Sequence, residues 1–141
     1  MSYAANHLKS RLACRMFHHD PADATVATKI GWVPMGLHFM AIVQLASGTG
    51  LLTVKVFAAT SAAGAGATEV TAASHADPTP ADAAGDQVVV EASAEQVKAA
   101  LDGATHVGIE VDMDAANDIA DIVYIVDPRD KTNGLTADII A

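Results

Sequence analysis

Residues 105–127 constrain the fold of this chain more than any other segment. Every second residue from Val107 to Met113 is apolar, and glycine or an acidic residue stands between the apolar ones. A period of two places side chains alternately on a buried and on a solvated face of a sheet. The acidic segment DAAND then leads into IADIVYIVD, an apolar run too short and too rich in β-branched residues for a helix. The pattern predicts two strands joined by a tight turn.

The rest of the chain predicts more short strands. Apolar, β-branched stretches bounded by turn residues predict four further strands and one weak one, at 25–33, 36–46, 51–60, 87–94 and 69–72. Residues 75–86 contain two prolines, a glycine and three aspartates, which predict a surface loop. Residues 94–103 predict a helix of one to two turns that is closed by Gly103.

These elements predict an all-β fold. We expect an antiparallel β-sandwich or a jelly-roll-like barrel with one or two short helices and an N-terminal arm. An α+β fold, with the 94–103 helix lying on one sheet, is the alternative. A length of 141 residues fits one domain. We therefore divide the chain into an N-terminal arm and connector (1–24) and a single β-sandwich domain (25–141).

Charge is unevenly distributed along the chain. The net charge is −9, yet four of the eight basic residues lie within the first 31 positions, where Asp20 and Asp23 are the only acids. Nucleic acids and anionic membranes attract clustered lysine and arginine, so we expect neither as a partner. The split predicts a basic arm on an acidic body. The alternative is that the arm is a solvated flank without a special role.

The arm carries a narrow apolar stripe. Leu8, Leu12 and Met16 are spaced four apart, which would place them on one side of a short helix over 6–17. So narrow a stripe does not stabilise an isolated helix in water. The segment is therefore expected either to dock on a partner or to stay extended.

Few residues suggest a metal site. His18, His19 and Asp20, with Cys14 nearby, are metal-ligand types, but adjacent histidines on a strand point to opposite faces and no second cluster completes a tetrahedral site. Residues 112–123 resemble a calcium loop only superficially, because they lack its ligands and its glycine. A plain turn is the better interpretation, and we predict no metal.

Catalysis has equally little support. GAGA (64–67) lacks the lysine, the third glycine and the following helix of a phosphate-binding loop. His106 and Ser93 have no identifiable partners for nucleophilic chemistry. We expect a protein that is not an enzyme and has no cofactor.

Several short motifs carry a resemblance to a known group of proteins. A Gly-Trp pair leads into a hydrophobic strand and then LLTVKVFAAT, a small-residue loop follows, and later strands carry V-V-V-E, H-V and D-P-R. The motifs are Gly31-Trp32, Val88 to Glu91, His106-Val107 and Asp127-Pro128-Arg129. This pattern, over about residues 30–130, resembles a group of small virion proteins of tailed bacteriophages that are typically encoded beside the major capsid protein. The first 20 residues and the DPTPADAAGD loop depart from it.

The resemblance implies a head decoration, or cement, protein. Such proteins are β-rich modules that lie on the outer surface of the capsid, often as trimers, and reinforce the shell against the pressure of the packaged DNA. The implied partners are the major capsid protein and further copies of this chain, and the implied location is the virion, assembled in the host cytoplasm. The arm would then contact the capsid or a neighbouring subunit through Leu8, Lys9, Arg11, Leu12, Arg15 and Met16.

Two other classes remain open. A head-completion or tail-tube component would also be β-rich and non-enzymatic, but it would form a ring instead of a trimer. A sandwich that binds a small ligand or a carbohydrate would need aromatic platforms, and only Trp32, Tyr3 and Tyr124 are available.

Overall fold

The computed structural model describes residues 13–81 and 83–127. Within this range the chain forms nine strands and one helix. Their bounds are β1 (Ala13–His19), β2 (Thr28–Pro34), β3 (His38–Ser47), β4 (Leu51–Ala59), β5 (Thr68–Glu69), β6 (His75–Ala81), β7 (Gln87–Ser93), α1 (Ala94–Ala100), β8 (His106–Met113) and β9 (Ile119–Asp127).

The strands form two antiparallel sheets that pack against each other. Sheet 1 has the order β1-β9-β3-β7. Sheet 2 has the order β2-β8-β4-β5, and β6 also pairs with β4. The prediction of an all-β antiparallel sandwich is confirmed. The one helix in the described range begins with a capping box, in which the Ser93 hydroxyl and the Gln96 side chain each accept a backbone N–H of the other residue.

The period-two pattern of β8 corresponds to its two faces. Val107, Ile109, Val111 and Met113 are buried between the sheets, whereas Glu110 lies on the outer side with an exposed fraction of 15 %. The turn after Met113 and the apolar strand β9 also lie where the sequence predicts them. Local alternation was therefore enough to assign these strands and their buried side.

Residues 75–86 were predicted to be a loop, and this prediction is wrong for residues 75–81, which form β6. The pairing of β6 with β4 jumps from Ala76 opposite Thr53 to Ala81 opposite Leu51. Residues 77–80, with both prolines, thus lie in a bulge without Cα partners on β4. Proline lacks a backbone N–H, so a bulge on a strand at the margin of a sheet is a place where two prolines are tolerated.

The N-terminal segment also differs from the expectation. Residues 13–19 form β1, an edge strand paired with β9, and so belong to the sandwich instead of an arm or a helix. The ring of Phe17 contacts that of Tyr124, with a centroid distance of 4.8 Å. Met16 points to the other side of the strand and is 78 % exposed. The predicted contact residues Leu8, Lys9, Arg11 and Leu12 lie outside the described residues.

The hydroxyl of Tyr124 joins the two sheets. The register of β2 on β8 shifts between Lys29 and Trp32, so that two residues of β2 stand opposite Ile109. From β9, in the other sheet, the Tyr124 hydroxyl accepts the Ile109 N–H at 2.9 Å and donates to the Gly31 carbonyl oxygen at 3.2 Å. It satisfies two backbone groups at the bulge, where the regular ladder is interrupted.

Both glycines at this bulge are required by close packing. A Cβ on Gly108 would collide with the carbonyl oxygen of Gly31. A Cβ on Gly31 would lie 2.8 Å from the Phe17 ring, closer than such atoms normally approach. The bulge, the Tyr124 hydroxyl and the Phe17 ring thus form one tightly packed unit.

Two substitutions on β1 test whether this strand belongs to the fold. Phe17→Ala removes a half-buried ring from the aromatic cluster and should lower the free energy of unfolding by about 2 kcal/mol. Met16→Ala, the matched control on the same strand, should change it by less than about 0.5 kcal/mol, because that side chain is exposed. Urea titration measures both values. Equal stability of the two variants would show that β1 is a dispensable arm.

Tyr124→Phe tests the bridge between the sheets. The ring stays, but the buried Ile109 N–H and Gly31 carbonyl lose their partner, so the free energy of unfolding should fall by about 2 kcal/mol. Native-state hydrogen exchange should show faster exchange of the Ile109 amide. A variant as stable as the parent would contradict the role of the hydroxyl.

Candidate functional site

The outer side of sheet 1 carries a continuous apolar surface. The cross-strand registers align two rows of four residues, of which all but Glu91, opposite Met40 on the edge strand β7, are apolar. We call their seven apolar members the apolar face: Cys14, Met16, Met40, Ile42, Val89, Val123 and Ile125.

This face is open to solvent although its residues are apolar. Met16 is 78 % exposed and Val89 is 51 % exposed, and Ile42 and Val123 between them are partly exposed. An antiparallel sheet normally has one face in the core and a polar face in water. Sheet 1 is instead apolar on both sides, and a contiguous exposed apolar surface of this kind marks an interaction site.

Polar residues frame the apolar face at both ends. At one end His18 Nδ1 lies 2.7 Å from Asp121 Oδ1, in the same row as Gln44 and Gln87. At the other end His38 lies opposite Asp127 and Ser93. An apolar centre with a polar rim is the usual composition of a protein interface.

The second rim brings together a serine, a histidine and an aspartate, the residue types of a nucleophilic triad. His38 Nδ1 is 4.0 Å from Asp127 Oδ2, which is too long for a hydrogen bond. The Ser93 hydroxyl accepts the Gln96 N–H at 3.2 Å as the cap of α1. Nucleophilic catalysis requires a hydrogen-bonded nucleophile and base. The described contacts give Ser93 a capping role.

The outer side of sheet 2 has a different character. Lys29 Nζ lies 2.9 Å from Glu110 Oε2 and 4.4 Å from the centre of the Phe57 ring. Lys55 Nζ lies 3.7 Å from Glu69 Oε2. Two ion pairs thus lie on this side of sheet 2. Asp112 lies on the same side of β8, and its Oδ1 is buried without a hydrogen-bond partner among the described residues.

The structure separates the two predicted contact residues that it describes. Met16 is part of the apolar face. Arg15 points to the other side of β1, where its guanidinium carbon lies 5.3 Å from the centre of the Phe17 ring. Sequence reasoning missed the other members of the apolar face. The available signal was that the antiparallel strands β3 and β9 are apolar at both odd and even positions, as in HFMAIV and IVYIV.

The histidine pair does not supply a metal site. His18 and His19 point to opposite sides of β1, and His18 forms a hydrogen bond with Asp121. Burial lowers the pKa of His19, an effect that Asp20 opposes and His18 reinforces. Over residues 13–81 and 83–127, no group of three or more His, Cys, Asp or Glu side chains is placed to hold a metal ion. No helix in this part of the chain is long and apolar enough to cross a membrane.

Asp118 stabilises the turn between β8 and β9 and connects it to a neighbouring turn. Its carboxylate has no exposed surface. Oδ1 accepts the Thr49 N–H at 2.9 Å, and Oδ2 accepts those of Ala115 and Gly50 at 3.1 and 3.2 Å. Burial by itself would raise the pKa of Asp118, but these bonds and that of the Thr49 hydroxyl outweigh it and lower the pKa. The carboxylate thus joins two turns, and the interpretation of this segment as a turn is confirmed.

Comparison of the chain with protein-family models, with curated proteins and with solved structures gives no significant match.

Asp118→Asn should destabilise the fold by about 2 kcal/mol at neutral pH, because charged acceptors make the stronger hydrogen bonds and an amide nitrogen would face other donors. The lowered pKa means that the carboxylate stabilises the fold above about pH 4, and this contribution is lost as the pH falls through the lowered value. The parent should therefore lose its advantage over the variant in acid. The control is Asp114→Asn, in the same turn, whose exposed carboxylate accepts a hydrogen bond from the Thr49 hydroxyl at 3.3 Å. Equal acid sensitivity of parent and Asp118→Asn, in thermal melts from pH 7 to pH 2.5, would refute this assignment.

Proposed function

We propose that this chain is a capsid decoration protein of a tailed bacteriophage, which docks on the outer surface of the head, stabilises the shell and forms a trimer. The observation that carries the proposal is the contrast between the two outer sides of the sandwich. One is an apolar face with a polar rim, and the other carries two ion pairs.

A decoration module needs this contrast. The side against the shell must lose water favourably, which aliphatic and thioether side chains do. The side toward solvent must keep particles apart, and the net charge of −9 with the ion-paired surface of sheet 2 serves that purpose. A sandwich is also rigid, so little conformational entropy is lost when it docks.

The segment before β1 adds to the proposed docking surface. Residues 1–12 join the sandwich at Ala13, which pairs with Val126 at the end of sheet 1. They carry the predicted contact residues Leu8 and Leu12 together with the cations Lys9 and Arg11. In this proposal the arm is limited to residues 1–12, because β1 is part of the fold. Repetition over many copies on one particle makes weak individual contacts sufficient.

Substitutions on the two outer sides test the proposal. Val89→Asp and Met16→Asp place a charge on the apolar face at exposed positions, so folding should be unaffected while shell binding weakens by about tenfold or more. Thr71→Asp, an exposed turn residue beside sheet 2, is the charge-matched control and should bind like the parent. The measurement is co-sedimentation with phage heads that lack this protein. Parent-like binding by both apolar-face variants would contradict docking through this face.

The oligomeric state separates the alternatives. Light scattering of the parent should give a trimer. A larger closed ring would indicate a head-completion or tail-tube component. A monomer that does not bind heads would indicate a ligand-binding sandwich.

A further inference from the structure

We propose that this chain associates with further copies of itself by pairing the edge strand β1 of one copy with the edge strand β7 of the next. Sheet 1 then continues as an antiparallel sheet from copy to copy. The pairing is inferred from the two edges themselves. Its assignment as the subunit contact of a decoration trimer rests on the proposed function.

The first argument is that both edges of sheet 1 are open and regular. β1 and β7 each have seven residues, and within the described residues neither has a strand on its outer side. Each pairs with its inner neighbour without a register shift, and neither contains a proline. Such an edge presents a row of unpaired N–H and C=O groups, which is a template for another strand.

The edges of sheet 2 carry features that normally prevent such pairing. β2 has a register shift and contains Lys29 and Pro34. β5 is only two residues long, and β6 contains two prolines and a jump in its register. Bulges, prolines, lysines and short strands all protect sheet edges from other chains. Because these features are on one sheet of the sandwich and not on the other, the edges of sheet 1 are the ones suited to association.

The second argument is that the two edges of sheet 1 are complementary in direction. β1 and β7 run antiparallel to each other, because three antiparallel pairings separate them. A second copy placed beside the first in the same orientation therefore brings its β1 antiparallel to β7. The contact joins two different edges and is heterologous, which is the kind of contact that closes into rings such as trimers.

The third argument is the match of side chains across the contact. In one row of the apolar face, Met16 lies at the β1 edge and Val89 at the β7 edge, and they are 78 % and 51 % exposed. A register that sets Met16 opposite Val89 of the next copy brings these two side chains together. The same register sets His18 opposite Gln87. The apolar row and the polar rim thus both continue from one copy to the next.

Pairing of β1 with itself fits less well. The register that sets Cys14 opposite Met16 of another copy also sets Arg15 opposite Arg15, and like charges directly opposite each other are destabilising. The next register sets Cys14 opposite His18, so that an apolar row meets the polar rim. Pairing of β1 with β7 avoids both conflicts, because Arg15 then lies opposite Val90.

Disulfide cross-linking tests the pairing and its register, because Cys14 is the only cysteine of the chain. The register sets Cys14 of one copy opposite Glu91 of the next, and both residues are exposed. Within one copy they are three strands apart, about 14 Å, which is too far for a disulfide. On oxidation with copper phenanthroline, Glu91→Cys should therefore give covalent dimers and trimers in non-reducing electrophoresis.

Gln87→Cys is the matched control, on the same strand and the same side of the sheet. Its thiol would lie about 13 Å along the edge from Cys14 of the next copy, so it should give about tenfold less cross-linked product. Gln87 and Glu91 are both exposed, so neither substitution should affect folding, which circular dichroism checks.

Three outcomes would overturn the proposal. Equal cross-linking of the two variants, or none in either, would show that the copies do not pair in this register. Parent dimers through Cys14, as abundant as those of Glu91→Cys, would make β1 its own partner. Dimers of Val89→Cys combined with Cys14→Ser would make β7 its own partner.

The experiment uses free protein without heads, so its result is separate from that of head binding. A protein that fails to cross-link but co-sediments with heads would refute the edge pairing and keep the docking. A protein that cross-links as expected but does not bind heads would keep the pairing and refute the proposed function. Cross-linked products larger than a trimer would keep the pairing and refute the trimer.

Discussion

The buried Tyr124 connects β1 and β3 of sheet 1 with the opposite sheet. Its hydroxyl satisfies backbone groups of the opposite sheet at a bulge, which sets how the two sheets are stacked. Its ring lies between Phe17 of β1 and Phe39 of β3, with centroid distances of 4.8 and 5.0 Å. The packing that closes the core therefore also holds the edge strand β1, and with it two residues of the apolar face. Tyr124 therefore contributes both to the stability of the core and to the position of the β1 residues in the apolar face.

The apolar face exists because β9 carries apolar residues on both of its faces. Its even-numbered residues Ile122, Tyr124 and Val126 are in the core, and its odd-numbered residues Val123 and Ile125 face outward. A solvated antiparallel strand would carry polar residues at those outward positions. Sheet 2 follows the ordinary rule, with Lys29 and Glu110 paired on its outer side. The difference between the two sheets thus depends on which residues occupy the outward-facing positions of a few strands.

Sequence patterns predicted the elements whose signals are local. The alternation of β8 and the helix-forming residues of 94–103 act within a few positions. β6 was missed because its prolines are compatible with a strand only where the register on β4 jumps, which is a tertiary property. β1 was misassigned because Met16, four residues from Leu12, also fits a helical stripe. The apolar face was missed because a strand that is apolar at every position does not show which of its two faces lies in the core.

The pairing of β1 with β9 has a consequence for folding during synthesis. Residue 13 is among the first of the described residues to be made, and its partner, residue 126, is among the last. Until β9 emerges from the ribosome, neither β1 nor β3 has this central neighbour, and strand pairs so far apart in sequence form slowly. The nascent chain meanwhile exposes apolar strand edges, which favour association with other chains. Temporary protection by a chaperone would therefore matter more for this protein than for one built from successive hairpins.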